Sequence, residues 1–272
     1  MNLNPTAPTD FSTEATGSMR PLPLRKALFY FGVPALGVRL AIYGGMPALI
    51  AAGLTQFEAF IVSFTVPFAI LFAVAFAFAQ REGVPMTLAG LRNRFRLHRL
   101  SRREWLWTGG AFLFAFLAGG MLGGAAQQLI AAIPAIAPPA FFPPILDPRV
   151  TISATVFTDF VGASLAGNWA VFVLYATMLF FNIFGEELWW RGLILPRQEL
   201  AHGRYTWMIH GLLWTLFHVP FYPWAIVSLL PVCMTVAYVS QRLQNNTPAV
   251  IIHWLYNGLP LLIVLAMVLG LV

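Results

Sequence analysis

Apolar runs of roughly twenty residues, separated by short polar or basic stretches, repeat along almost the whole chain. They cover about residues 27–51, 57–79, 105–132, 168–195, 205–219, 222–239 and 249–272. Most of these runs are long enough to cross the hydrocarbon core of a bilayer as a helix, which needs about 20 residues. The pattern predicts an all-α, polytopic transmembrane helix bundle of about seven spans, or eight if one run divides. Pro34, Gly44, Gly45 and Pro47 should bend the first span. Gly109, Gly110, Gly119, Gly120, Gly123 and Gly124 give the third span small faces suited to close helix contact. Residues 134–168 carry Pro134, Pro138, Pro139, Pro143, Pro144 and Pro148, and should form a loop with no helix through the prolines and an apolar middle suited to the membrane surface. Residues 1–24 read as a flexible tail with no signal-peptide pattern. Residues 25–272 read as one membrane domain with no internal repeat, whose core of interest is about 168–272.

Composition agrees: hydrophobic residues make up 59% and charged residues 10% of 272 positions, far from a soluble globular domain. The net charge of +6 does not indicate nucleic acid, because the basic residues cluster beside the ends of apolar runs. Arg81, Arg92, Arg94, Arg96, Arg99, Arg102 and Arg103 lie in one such stretch. By the positive-inside rule that stretch is cytoplasmic, the N-terminus is inside and, on a count of seven spans, the C-terminus is outside. The expected setting is a bacterial inner membrane. Leu88, Leu91 and Phe95 among those arginines fit an interfacial amphipathic helix. Arg39, inside the first span, should snorkel, pair with Glu58 or line a cavity. The single cysteine, Cys233, excludes an intrachain disulfide.

Two adjacent carboxylates and an arginine interrupt the fourth run, in Asn182-Ile-Phe-Gly-Glu186-Glu187-Leu-Trp-Trp-Arg191. Ionisable groups inside a span are costly and mark functional sites by default. Residues four apart share a helix face, so Glu187 pairs with Arg191, while Glu186 turns toward Asn182 and Trp190 without a cation of its own. Glu186 is thus the candidate general base. The competing reading, a buried ion cluster that only fixes packing, leaves the second carboxylate unexplained. His218 should stand at nearly the depth of Glu186 if residues 187–218 form a hairpin turning near His202. His253 and Asn257, four apart, present an imidazole and an amide on one face, as an oxyanion hole requires. A straight helix puts His253 roughly 12 Å shallower than Glu186, and a sixth span shortened at Pro220, Pro223 or Pro231 would reconcile them. His210 reads as structural.

Glu186-Glu187 with Arg191, then His218, then His253 with Asn257, resembles the EExxxR, FxxxH and HxxxN/D pattern of the CPBP family of intramembrane proteases, which includes the Ras-converting CAAX endopeptidase and bacteriocin-processing and abortive-infection types. The likeness covers about residues 180–258, and departs from it in having Trp214 where the family usually has Phe. It implies peptide-bond hydrolysis of a membrane-anchored protein or peptide substrate. Glu186 and His218 would activate water, His253 and Asn257 would stabilise the oxyanion, and Glu187 and Arg191 would support them. Glu186, His218 and His253 are also the side chains that would hold one divalent metal, zinc, if the site is metallic; the metal-free arrangement is slightly favoured. A non-catalytic scaffold or immunity protein of the same fold and a transporter with a buried proton relay are the alternatives.

Overall fold

The computed structural model describes residues 19–272, and every described element is helical. The first part of the expected tail, residues 1–18, lies outside the described residues. Its end is docked: the Leu22 N–H donates to the Arg197 carbonyl at 2.9 Å. Helix α1 (Leu24–Leu40) continues through a π-helical turn, Ala41–Gly45, into α2 (Met46–Ala51), and α3 (Gln56–Arg81) returns. The short α4 (Leu88–Arg94) leads to α5 (Arg102–Met121) and α6 (Gly123–Ala132). Capping boxes fix where α3 and α5 begin. Thr55 and Ser101 accept from the N–H groups of Glu58 and Glu104, whose carboxylates reach back to the Thr55 and Ser101 N–H groups at 2.9 and 2.8 Å. Glu58 is therefore used locally. Arg39 donates to the Pro220 carbonyl and lies over the Tyr43 ring, so the expected pairing with Glu58 does not form.

The expected loop 134–168 departs from its reading twice. Past the last proline, Ser153 caps a helix, α7 (Ala154–Val161). The apolar middle is packed into the bundle: Phe142 is buried, edge-on to Tyr222 and Trp224 at 5.5 and 5.1 Å, and Gln56 holds its carbonyl at 2.9 Å.

Helix α8 (Trp169–Glu186), a π-helix (Glu187–Ile194), α9 (Leu195–His202) and α10 (Thr206–His218) make a helical stretch of 50 residues, in which a 3₁₀ turn, Gly203–Tyr205, separates α9 from α10. Unbent, at 1.5 Å per residue, it would be about 75 Å long, well over a bilayer thickness; instead α10 folds back, as the expected hairpin near His202 requires, and the Trp214 indole reaches Glu186 at 2.5 Å. The stretch turns at Gly203, where φ is +56°. Helix α11 (Ile226–Leu243) passes Pro231 unbroken, and α12 (Thr247–Asn257) and α13 (Leu259–Val268) meet at a 50° bend. Among the described residues, five helical stretches are long and apolar enough to cross a membrane, or six if the bent pair is one crossing. Hydropathy marks how much apolar chain there is, and the turns decide how it is divided.

Helices α3 and α8 touch backbone to backbone at Gly185, where an added Cβ would sit 2.5 Å from the Phe68 carbonyl oxygen; α10 meets α11 at Gly211, 2.9 Å from the Met234 Cα. The glycines expected to pack the third span do not: Gly109, Gly110, Gly120, Gly123 and Gly124 have no neighbour within 4 Å, and only Gly119 packs, on the Tyr256 hydroxyl. A small residue permits contact, but which face meets a partner is set by the other helices.

The arginine-rich stretch is docked as well as basic. Phe95, expected on headgroups, is 1% exposed and packs on Gly192. Glu82 binds both Arg94 and Arg197. Burial would raise the Glu82 pKa, but the two guanidiniums override it and hold the carboxyl below its usual range.

The close approach at Gly185 makes a stability prediction. Gly185→Ala should cost about 1–3 kcal/mol through overpacking and lower the melting temperature in detergent, while Gly109→Ala, facing open space, should leave it unchanged. Equal melting temperatures would refute the contact.

Candidate active site

At the carboxylate pair the chain changes from α- to π-helix, a form that often appears at functional sites. Glu187 is fully buried and bound through both oxygens to Arg191, whose Nε lies at 2.6 Å. Its Oε1 also accepts from the His253 Nδ1 at 2.8 Å. Arg191 in turn lies 3.7 Å from the centre of the Trp214 ring. Glu187 is the partner of Arg191, as the four-residue spacing predicts.

Glu186 has no cation beside it. Its Oε1 accepts from Asn182 at 2.8 Å, as the four-residue spacing predicts, and its Oε2 accepts from the Trp214 indole N–H at 2.5 Å. Trp190, expected on this face, stacks on Phe31 at 4.1 Å instead. The His218 Nδ1 lies 2.7 Å from the Trp214 carbonyl. A carbonyl only accepts, so that nitrogen carries the proton and Nε2 offers a lone pair. Glu186 and His218 line one cavity of about 300 Å³ together with Asn182 and Asn257.

His253 does not line that cavity; it sits behind Asn257, with both nitrogens engaged. Nδ1 donates to Glu187, and Nε2 lies 3.0 Å from the Asn257 amide nitrogen. Asn257 also donates to the Asn182 Oδ1 at 3.0 Å. The hydrogen bonds therefore run unbroken from Arg191 through Glu187, His253, Asn257 and Asn182 to Glu186 and Trp214. The expected depth mismatch of His253 is removed by a different device from a broken sixth span. The turn before α12 is drawn into the bundle, where buried Asn246 donates to the Glu187 carbonyl at 3.0 Å and receives support from the Arg96 carbonyl at 2.7 Å. Helix α12 thus begins deep. His210, bound to Gln198 at 2.6 Å, stands outside the network.

Asn182, Trp214 and Asn246 complete the site, and only Asn182 was marked by local spacing. The other two reach it across the fold, which no periodicity reveals. A three-ligand zinc site needs a free lone pair from each imidazole, and His253 has none in this arrangement. Among the described residues no three His, Cys, Asp or Glu side chains converge as metal ligands.

Removing one member of the buried pair exposes its worth. Glu187→Gln leaves Arg191 uncompensated and should cost about 3–5 kcal/mol, whereas Glu187→Gln with Arg191→Gln should recover much of that loss. Melting curves of both in one detergent check this. A double variant no more stable than the single one would contradict it.

Residues 168–259 match the family described as Type II CAAX prenyl endopeptidase Rce1-like. No curated protein and no solved structure matches the chain. The match and the apolar helices make this an integral, multi-pass membrane protein. The segment that carries the carboxylate pair, the cavity-side and the buried histidine and Asn257 is thus similar to that of a CPBP-family protease of the Rce1-like type.

Proposed function

We propose that the protein is an intramembrane endopeptidase that hydrolyses a peptide bond in a membrane-anchored protein or peptide, using Glu186 as general base and no metal. One observation carries the reading: Glu186, free of any ion pair, shares a cavity with the His218 lone pair, while Glu187 is committed to Arg191 and His253. A water between Glu186 and the His218 Nε2 gives its proton to Glu186 as its oxygen bonds the scissile carbonyl carbon. The carbonyl electron pair moves onto oxygen, and an Asn257 N–H turns from Asn182 to that oxyanion. His253 lies behind Asn257, where its Nε2 at 3.0 Å holds the amide in place and its Nδ1 is anchored on Glu187. Protonated Glu186 then passes its proton to the amide nitrogen, the C–N bond breaks, and the amine leaves.

The base assignment predicts that Glu186→Gln lowers the cleavage rate by about 10²–10⁴ and leaves the melting temperature unchanged. Near-normal cleavage by this variant would overturn the assignment. It would also favour a scaffold that binds without cutting.

The metal-free assignment predicts that extensive dialysis against a strong chelator leaves the purified enzyme's rate unchanged. Loss of activity restored by stoichiometric zinc would refute it.

A further inference from the structure

The walls of the cavity differ sharply between its two ends. Glu186 lies beside Gly185, which touches Phe68, and Phe68 is 12 residues past the start of α3, close to the midpoint of that 26-residue helix. From this depth the cavity runs in one direction only. Its lining continues through Phe64 and Phe60 toward the start of α3, and through Tyr175, Tyr222 and Leu146. Leu146, Tyr222 and Leu229 on this side are partly exposed. In the other direction the bundle is solid. Glu187, Arg191, Trp190, Leu193 and Ile194 are each at most 1% exposed, and Phe95 of the arginine-rich stretch packs over Gly192. Arg94 bonds the Gly192 carbonyl at 2.6 Å, and Asn246 fills the space beside Glu187.

The charges divide along the same axis. Thirteen of the 16 Lys and Arg residues lie at the sealed end, where α1 starts, α3 ends and the stretch 81–104 docks. Toward the open end lie Arg149, which is paired with Asp147, and Arg39, which is bonded to the Pro220 carbonyl, together with Glu58 and Asp159. Basic residues of a multi-pass protein remain on the cytoplasmic side.

Resting on the peptidase reading, we infer that the site is reached from the non-cytoplasmic side of the membrane. Its substrate class is then the exported or single-span protein whose cleaved segment enters the outer half of the bilayer, not a cytosolic C-terminus. The scissile bond lies roughly 18 Å below the open end, the rise of 12 helical residues. An extended strand covers that depth in about five or six residues. The apolar, aromatic lining suits large hydrophobic side chains flanking the bond, because a membrane segment brought in unwound must leave lipid contacts and find protein ones.

Thiol accessibility tests the direction of entry without needing catalysis. In a Cys233→Ala background, single cysteines replace Leu146 at the mouth, Met178 in the wall and His98 in the arginine-rich stretch, each also combined with Glu186→Gln. A small membrane-impermeant methanethiosulfonate is applied to intact cells and to permeabilised ones. The expected result is modification at 146 and 178 in intact cells, and at 98 only after permeabilisation, with Glu186→Gln making no difference. Modification at 178 from the cytoplasmic side alone, or from neither side, overturns the inference. Loss of peptidase activity in every assay with this labelling pattern intact would instead overturn the proposed function and leave the direction of entry standing.

Discussion

A charged carboxylate held in the middle of a membrane is the constraint on which the site depends. Glu187 has no access to water, so its charge must be met entirely by protein. Arg191 meets it from the same helix and His253 from α12, and these contacts fix the relative positions of α8, the π-helix and α12. The drawn-in turn at Asn246 follows from the same demand. It lets α12 start at the depth of Glu187 and brings Asn257 to the cavity wall, with His253 behind it. Two neighbours in sequence are thus used differently: Glu187 is consumed in holding the helices, and Glu186, with no ion pair, faces the cavity.

That division was legible in the sequence because it is local. The four-residue spacing of Glu187 with Arg191, and of Asn182 with Glu186, places both pairs correctly on helix faces. The all-helical membrane bundle was legible for a similar reason, since length and hydropathy report it directly. What depends on distant partners was not. Gly109 and Gly119 look alike in sequence, yet only Gly119 meets another helix. Phe95 reads as a headgroup anchor and instead closes the bundle over Gly192. How the apolar chain divides into spans was less legible, because a three-residue turn at Gly203–Tyr205, with no polar loop, folds a 50-residue helical stretch back on itself.

Trp214 is the residue whose role changes most between sequence and structure. A phenylalanine at this position would present a flat ring to Arg191 and nothing more. The indole does that with its face and also donates from its edge to Glu186, while its backbone carbonyl orients His218. One side chain thereby touches both Arg191 and Glu186, and its residue's carbonyl sets the tautomer of the cavity histidine. The departure from the family pattern adds a polar contact to the site without removing the aromatic one.

A cavity sealed at one end also fixes the sequence of events in a turnover. For hydrolysis at Glu186, nucleophile and peptide must come through the same mouth, and a hydrophobic segment filling it shuts out further water. The attacking molecule therefore has to be waiting among Asn182, Glu186, His218 and Asn257 before the peptide docks, a small polar reservoir at the bottom of an aromatic well. The two cleavage fragments must then back out past each other or leave in turn. Refilling with water, as much as bond breaking, becomes a step that can limit how fast the next substrate is cut.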